Sequence, residues 1–169
     1  FLSIFSFLDY KSIQHSHKML IEKRKGNINN SIKHGLLAIK YGRNVDNTGT
    51  PIKFNLGVLE YQKGDIIRSK NYFEEALKVH PYHIGILENL MIINAKNNNY
   101  TEANKLIDLL NKLFPYYYSP IIKLIKIHLQ KGNINEAKTL METTNFEHAT
   151  PIVVKSLNSL RKYINLISH

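Results

Sequence analysis

The chain has 169 residues, 43% of them hydrophobic, and a formal net charge of +10. That is enough apolar chain for one domain with a real core, and the charge favours acidic partners: nucleic acid, anionic lipid or acidic peptides. Cysteine is absent, which excludes a disulfide framework, a thiol nucleophile and a thiolate metal site.

The charge is uneven along the chain. Residues 1–49 hold 8 basic and 3 acidic side chains, 50–117 hold 8 and 7, and 118–169 hold 7 and 3. A nearly neutral middle argues against one continuous basic groove for nucleic acid. The start, "FLSIFSFLDY", does not open on Met and reads as the beginning of a fragment or processed product. Its apolar run, Phe1 to Leu8, stops at Asp9, short of the roughly 20 residues that a span requires. Residues 1–11 therefore read as a cap on the helical part of the chain or as the end of a truncated membrane span. The segment has neither the basic start nor the small-residue cleavage site of a signal peptide.

The first predicted helix ends in Lys23-Arg24-Lys25, cations suited to the negative end of a helix dipole or to anionic lipid headgroups. A period then sets in. Gly26-Asn27, Gly64-Asp65, Asn98-Asn99 and Gly132-Asn133 recur at spacings of 38, 34 and 34 residues, the extra four falling in "VDNTGT". Gly or Asn tolerates the left-handed conformation that ends a helix, and the Asn or Asp behind it can cap the next one. Each pair predicts a tight turn between antiparallel helices. An apolar residue follows each turn (Ile28, Ile66, Tyr100, Ile134), then a small one three places on (Ser31, Ser69, Ala103, Ala137). Four further on come Gly35, Phe73, Ile107 and Met141, then Ala38, Ala76, Leu110 and Thr144. These steps share one helical face, with small residues where a neighbouring helix comes close. Pro81 and Pro115 stop the second helices, and Thr50-Pro51 and Thr150-Pro151 read as cap pairs opening later ones. Preceding the last three turns, the partner helices carry Leu56 and Leu59, Leu90 and Ile93, and Leu124 and Ile127 on their apolar faces. The final stretch has Val153, Leu157, Leu160, Ile164 and Ile167 at helical spacing, as suits a terminal helix covering an open apolar face.

"FNLGVLEYQKGD…YFEEALKVHP" resembles a tetratricopeptide repeat, whose period is 34 residues. Leu56-Gly57, Phe73, Ala76 and Pro81 fall where that family has Leu-Gly, Phe, Ala and Pro. The chain departs from the family in having no Trp, with Lys53 in its place; Tyr61 sits one position late and Ser69 replaces an alanine. The third copy keeps Ala103 and Pro115 and the fourth Ala137. The resemblance implies an all-α, right-handed solenoid of four helix-turn-helix repeats (12–49, 50–83, 84–117 and 118–149) with a capping helix over 150–169. "HPYHIGILENL" further resembles the C-terminal repeats of bacterial O-antigen ligase or polymerase-type membrane proteins. This second likeness implies a soluble piece tethered to a bacterial cell membrane, its glycan chemistry lying elsewhere; a cytoplasmic repeat protein is the alternative.

Nothing in the residues points to catalysis, a cofactor or a metal. His15 and His17 lie on nearly opposite helical faces, and His80 and His83 flank Pro81 without a carboxylate or third His at ligand spacing. The tetratricopeptide resemblance implies non-catalytic recognition of extended peptides by the first helices, on the concave side. One column there holds His17, Asn55, Asn89 and Lys123. Its two asparagines resemble the start of the asparagine ladder of O-linked N-acetylglucosamine transferases, since an amide offers both donor and acceptor to a peptide backbone. Ordinary interhelix hydrogen bonding is the alternative use of such amides. The candidate groove residues are His17, Phe54, Asn55, Tyr61, Asn89, Lys123 and Lys126, with the two lysines for acidic groups of a ligand. Lys23, Arg24 and Lys25 form a candidate membrane-proximal basic cluster. The Lys and Asn clamp of chaperone-binding repeats is missing, because Ser16, Leu20, Val58, Glu88 and Ile92 occupy the matching places. Two further readings are an architectural or dimerising module of a membrane enzyme and a basic nucleic-acid-binding repeat.

Overall fold

A computed structural model describes the backbone of residues 2–167 and the side chains of residues 7–167. Phe1, part of the expected cap or span end, lies outside the described residues. Among the described residues the elements are nine helices: α1 (Leu2–Arg24), α2 (Ile28–Lys40), α3 (Ile52–Lys63), α4 (Ile66–Val79), α5 (Ile84–Lys96), α6 (Tyr100–Leu113), α7 (Ser119–Gln130), α8 (Ile134–Thr143) and α9 (Pro151–Ile167). The fold is all-α, as the periodicity predicts. No described helix is long and apolar enough to cross a membrane.

The turns are built as the sequence indicates. Gly26, Gly64 and Gly132 have φ of 76°, 89° and 77°, and Asn98 takes the same role at 62°. Capping divides by copy. Asp65 accepts from Arg68 N at 3.0 Å and Asn99 from Glu102 N at 3.3 Å. Asn27 and Asn133 make no such cap; their amides instead donate to Glu22 Oε2 (2.7 Å) and to the Tyr100 hydroxyl (3.0 Å). The expected Thr50-Pro51 cap also differs. Pro51 itself is the N-cap of α3, because Thr50 is drawn into the preceding loop, where its N–H donates to Asp46 Oδ1.

The chain divides into two compact units, Phe1–Ile86 and Leu87–His169. In the first, Met19, Ala38, Ile52 and Leu56 form a buried cluster with Leu20, Ile32, Ile39 and Tyr72 packed against it. The small residues let the hairpin helices approach closely. Ser31 Oγ donates to Met19 O and Ser69 Oγ to Gly57 O, both at 2.8 Å and both across twelve residues of chain. These equivalent bonds satisfy the buried hydroxyls in α2 and α4. Ala103 and Ala137 stand at the same places in the second unit and are fully buried without a polar atom to satisfy. There the core is formed by Leu90, Ile93, Leu110, Leu124 and Ile125, with Leu157 and Ile164 of α9 also buried. Val153 and Leu160 are half-buried, and Ile167, expected on the same stripe, is exposed.

Candidate functional site

Two of the candidate residues in the first unit, Lys23 and Asn55, meet in a buried polar network. The loop between α2 and α3 folds around Asp46, which is 4% exposed. Its Oδ1 accepts from Thr48 N (2.9 Å), Thr48 Oγ1 (2.6 Å) and Thr50 N (3.1 Å), and its Oδ2 from Asn55 Nδ2 (3.2 Å). Lys23 Nζ donates to Asn55 Oδ1 at 2.7 Å. Asn55 is itself 4% exposed, so its amide bridges a cation from α1 to a carboxylate from the loop. It is turned into the protein and not toward an open groove. Burial lowers the pKa of Lys23 and the Asp46 carboxylate opposes that shift. The expected basic cluster is therefore divided: Lys23 points inward, while Arg24 and Lys25 are exposed, Lys25 pairing with Glu22 at 3.1 Å.

The repeat pattern does not single out Asp46, although "DNTGT" carries the signal: Asp side chains accept from backbone N–H groups two residues on and organise turns. It does not single out His34 either. The His34 Nδ1 lies 2.9 Å from His15 Nδ1, and the His15 ring stacks on His34 (5.1 Å) and Tyr41 (5.5 Å). Thus His15 pairs across the hairpin, whereas His17 is exposed. Phe54 is half-buried against Phe73 (5.9 Å) and His83 (4.8 Å), leaving part of its ring accessible. Tyr61 is half-buried too.

In the second unit the polar centre is Glu88, on α5. Its Oε1 accepts from Ser119 Oγ and Lys123 Nζ, both at 2.9 Å, and its Oε2 from the Tyr117 hydroxyl at 3.1 Å. Burial and the Glu88 charge raise the pKa of the Tyr117 phenol, partly offset by Ser119 and Lys123. Lys123 is thereby fixed in position while its side chain remains 45% exposed. One turn on, Lys126 is exposed. Asn89 is half-buried beside Glu88 in sequence. Of the three tyrosines 116–118, Tyr118 is buried against Phe146 and Tyr116 is exposed, edge-on to His148. Among the described residues no group of three or more His, Cys, Asp or Glu is placed to hold a metal ion.

No protein-family model matches the sequence and no curated protein is similar to it. Solved structures are similar in fold. A tetratricopeptide repeat protein from Parabacteroides merdae superposes with a TM-score of 0.68 at 16% identity, over 91% of this chain and 61% of its own length. The pilF protein of Pseudomonas aeruginosa gives 0.63 at 13% identity, over 88% and 65%. Naa15/Naa10 bound to HypK-THB gives 0.54 at 17% identity, over 83% and 20%. The chain thus spans less than two thirds of the length of each. At such identities the likeness is one of fold, and the fold is the helical repeat of tetratricopeptide proteins.

Proposed function

We propose that the chain is a non-catalytic helical-repeat scaffold that recognises protein or peptide partners through the exposed faces of its first helices. On this reading acidic groups of the partner are taken by Lys123 and Lys126 of α7. The observation that supports it most is the mounting of Lys123: a cation half in solvent, held by a carboxylate that is itself gripped by Tyr117 and Ser119. Such preorganisation lowers the ordering cost of binding. The complex of Naa15/Naa10 with HypK-THB shows a protein of similar fold with a bound partner.

In this proposal Asn55 is a supporting residue that keeps Lys23 and Asp46 together, and not a contact to the ligand backbone. The division into four repeats and a terminal cap serves the same reading, each hairpin offering one first helix. The fold adds no support to a polysaccharide-ligase parentage or a membrane tether, and the proposal rests on neither.

The test is anisotropy of fluorescein-labelled hexaglutamate titrated with the native chain and with Lys126→Glu. Losing one charge-assisted contact and gaining a repulsion weakens binding about tenfold or more. Lys123→Ala acts in the same direction and leaves Glu88 with its Tyr117 and Ser119 donors. Equal affinities for all three proteins would remove the proposal.

A further inference from the structure

The solvent side of α9 carries a second apolar face. The helix packs on its own unit through Leu157 and Ile164, which are buried. Ile152, Ser156, Ser159, Tyr163 and Leu166 follow one another at steps of four and three, which sets them together on a different face. Ile152 and Leu166 are each 79% exposed and Tyr163 51%. Between them, Ser156 Oγ donates to Ile152 O and Ser159 Oγ to Lys155 O, both at 3.0 Å. Neither hydroxyl therefore presents an unmet donor to whatever covers the face. Lys155 and Lys162 stand exposed along one edge of the stripe, three or four residues from Ile152, Ser159 and Leu166, and make no ion pair among the described residues. No Asp or Glu follows Glu147 in the sequence, so no carboxylate on the helix offsets these cations.

Three kinds of occupant could cover such a face, and its surroundings favour one. A bound peptide or partner helix lies in a groove, but the hollow beside the stripe is lined by Ala149 and residues of α9, with no second helix as its other wall. A second copy of α9, laid on in either direction, brings the same cations and no carboxylate. An anionic bilayer meets the face as it stands. It is flat, which suits one convex helix, and its acyl boundary takes up Ile152 and Leu166. The Tyr163 ring sits at that boundary with its hydroxyl among the headgroups. Lys155 and Lys162 bury their stems while their ammonium groups reach the phosphates. An amphipathic helix with a basic polar face lies in the plane of such an interface. We infer that α9 is a peripheral docking face for an anionic lipid bilayer, lying flat on it through Ile152, Tyr163 and Leu166 with Lys155 and Lys162 against the headgroups. This surface is separate from Lys123 and Lys126 and does not depend on the proposal made for them.

The chain contains no Trp, so Tyr163→Trp, at an exposed position, places a single fluorophore on the face. The full chain carrying it is titrated with vesicles of equal parts phosphatidylserine and phosphatidylcholine, and with vesicles of phosphatidylcholine alone. On the mixed vesicles the emission should shift to the blue and be quenched by lipids brominated on their acyl chains. Partitioning should be about tenfold or more stronger than on the neutral vesicles. In the same background Ile152→Ser/Leu166→Ser keeps every charge and should weaken partitioning about tenfold or more, while leaving hexaglutamate binding as in the native chain. Lys155→Gln/Lys162→Gln should weaken it about tenfold or more, and Lys123→Gln/Lys126→Gln, which removes the same charge elsewhere, far less. The inference is overturned if the serine variant partitions as well as its parent, or if both lysine pairs count equally, because net charge then suffices. Bound protein with unquenched Trp emission would overturn it too. Absence of binding to the mixed vesicles would leave the face to a protein partner, and a dimer in light scattering that the serine variant abolishes would give it to a second copy; either result overturns the inference.

Discussion

Gly57 and Gly35 show how one residue type takes its meaning from its neighbours. A Cβ built on Gly57 would lie 2.7 Å from Phe73 Cε1 and 2.8 Å from its Cδ1. That ring is rigid and fully buried. At Gly35 the crowding atom, also at 2.7 Å, is the end of the Leu56 side chain, which can rotate away. Alanine at either site gains about 1 kcal/mol of helix propensity, against overpacking of about 1–3 kcal/mol. Gly57→Ala should therefore lower stability by about 1 kcal/mol, and Gly35→Ala by less, as read from urea midpoints at constant m. Asp46 is more demanding because four donors converge on it. Asp46→Ala should cost about 2–4 kcal/mol through donors left unpaired, measured in the same way. At this scale the sequence was legible where backbone geometry dictates the residue, as at Gly64, and less so for side chains. Asn55 stood out as an amide, but nothing local in sequence shows that Lys23 and Asp46, 32 and 9 residues away, take up its two ends.

At the scale of elements, the α1–α2 hairpin carries a device that periodicity does not reveal. The His15–His34 hydrogen bond needs one Nδ1 as acceptor, so both rings cannot be protonated while it persists. The pKa of each is lowered chiefly by burial, then for His15 by His34, Lys18 and Lys11, and for His34 by Lys18 and Lys33, with Glu22 opposing. A lowered folded value means that the unfolded chain binds the proton first as pH falls. The stabilisation is whole above the unfolded value of about 6.5 and is lost as pH drops through the folded values. His83 and His128, lowered mainly by burial as well, act in the same direction. Tm should fall between about pH 7.5 and pH 5.5, and a His15→Phe/His34→Phe variant should fall less; parallel curves would show that the pair contributes nothing. Helix positions themselves were readable, since the turn pairs and the 3.6-residue pattern specify them locally. The path of residues 44–51 was not, because a carboxylate turned inward, and not a helix cap, organises that loop.

For the molecule as a whole, the repeat was legible in outline because helical hairpins report their own ends, whereas the partner was not, because recognition uses exposed positions that the fold leaves unconstrained. The net charge of +10 makes affinity for polyanions salt-dependent whatever the site. A first-helix receptor is distinguished from a general polyanion binder by locality. Short duplex DNA at moderate salt should bind the native chain and Lys126→Glu with nearly equal, weak affinity, whereas hexaglutamate should discriminate between them. The most direct measurement is amide hydrogen exchange of the native chain with and without hexaglutamate. Slowed exchange should concentrate in α7 around Lys123 and Lys126. Protection absent from α7, or spread evenly over the basic surface, would contradict it.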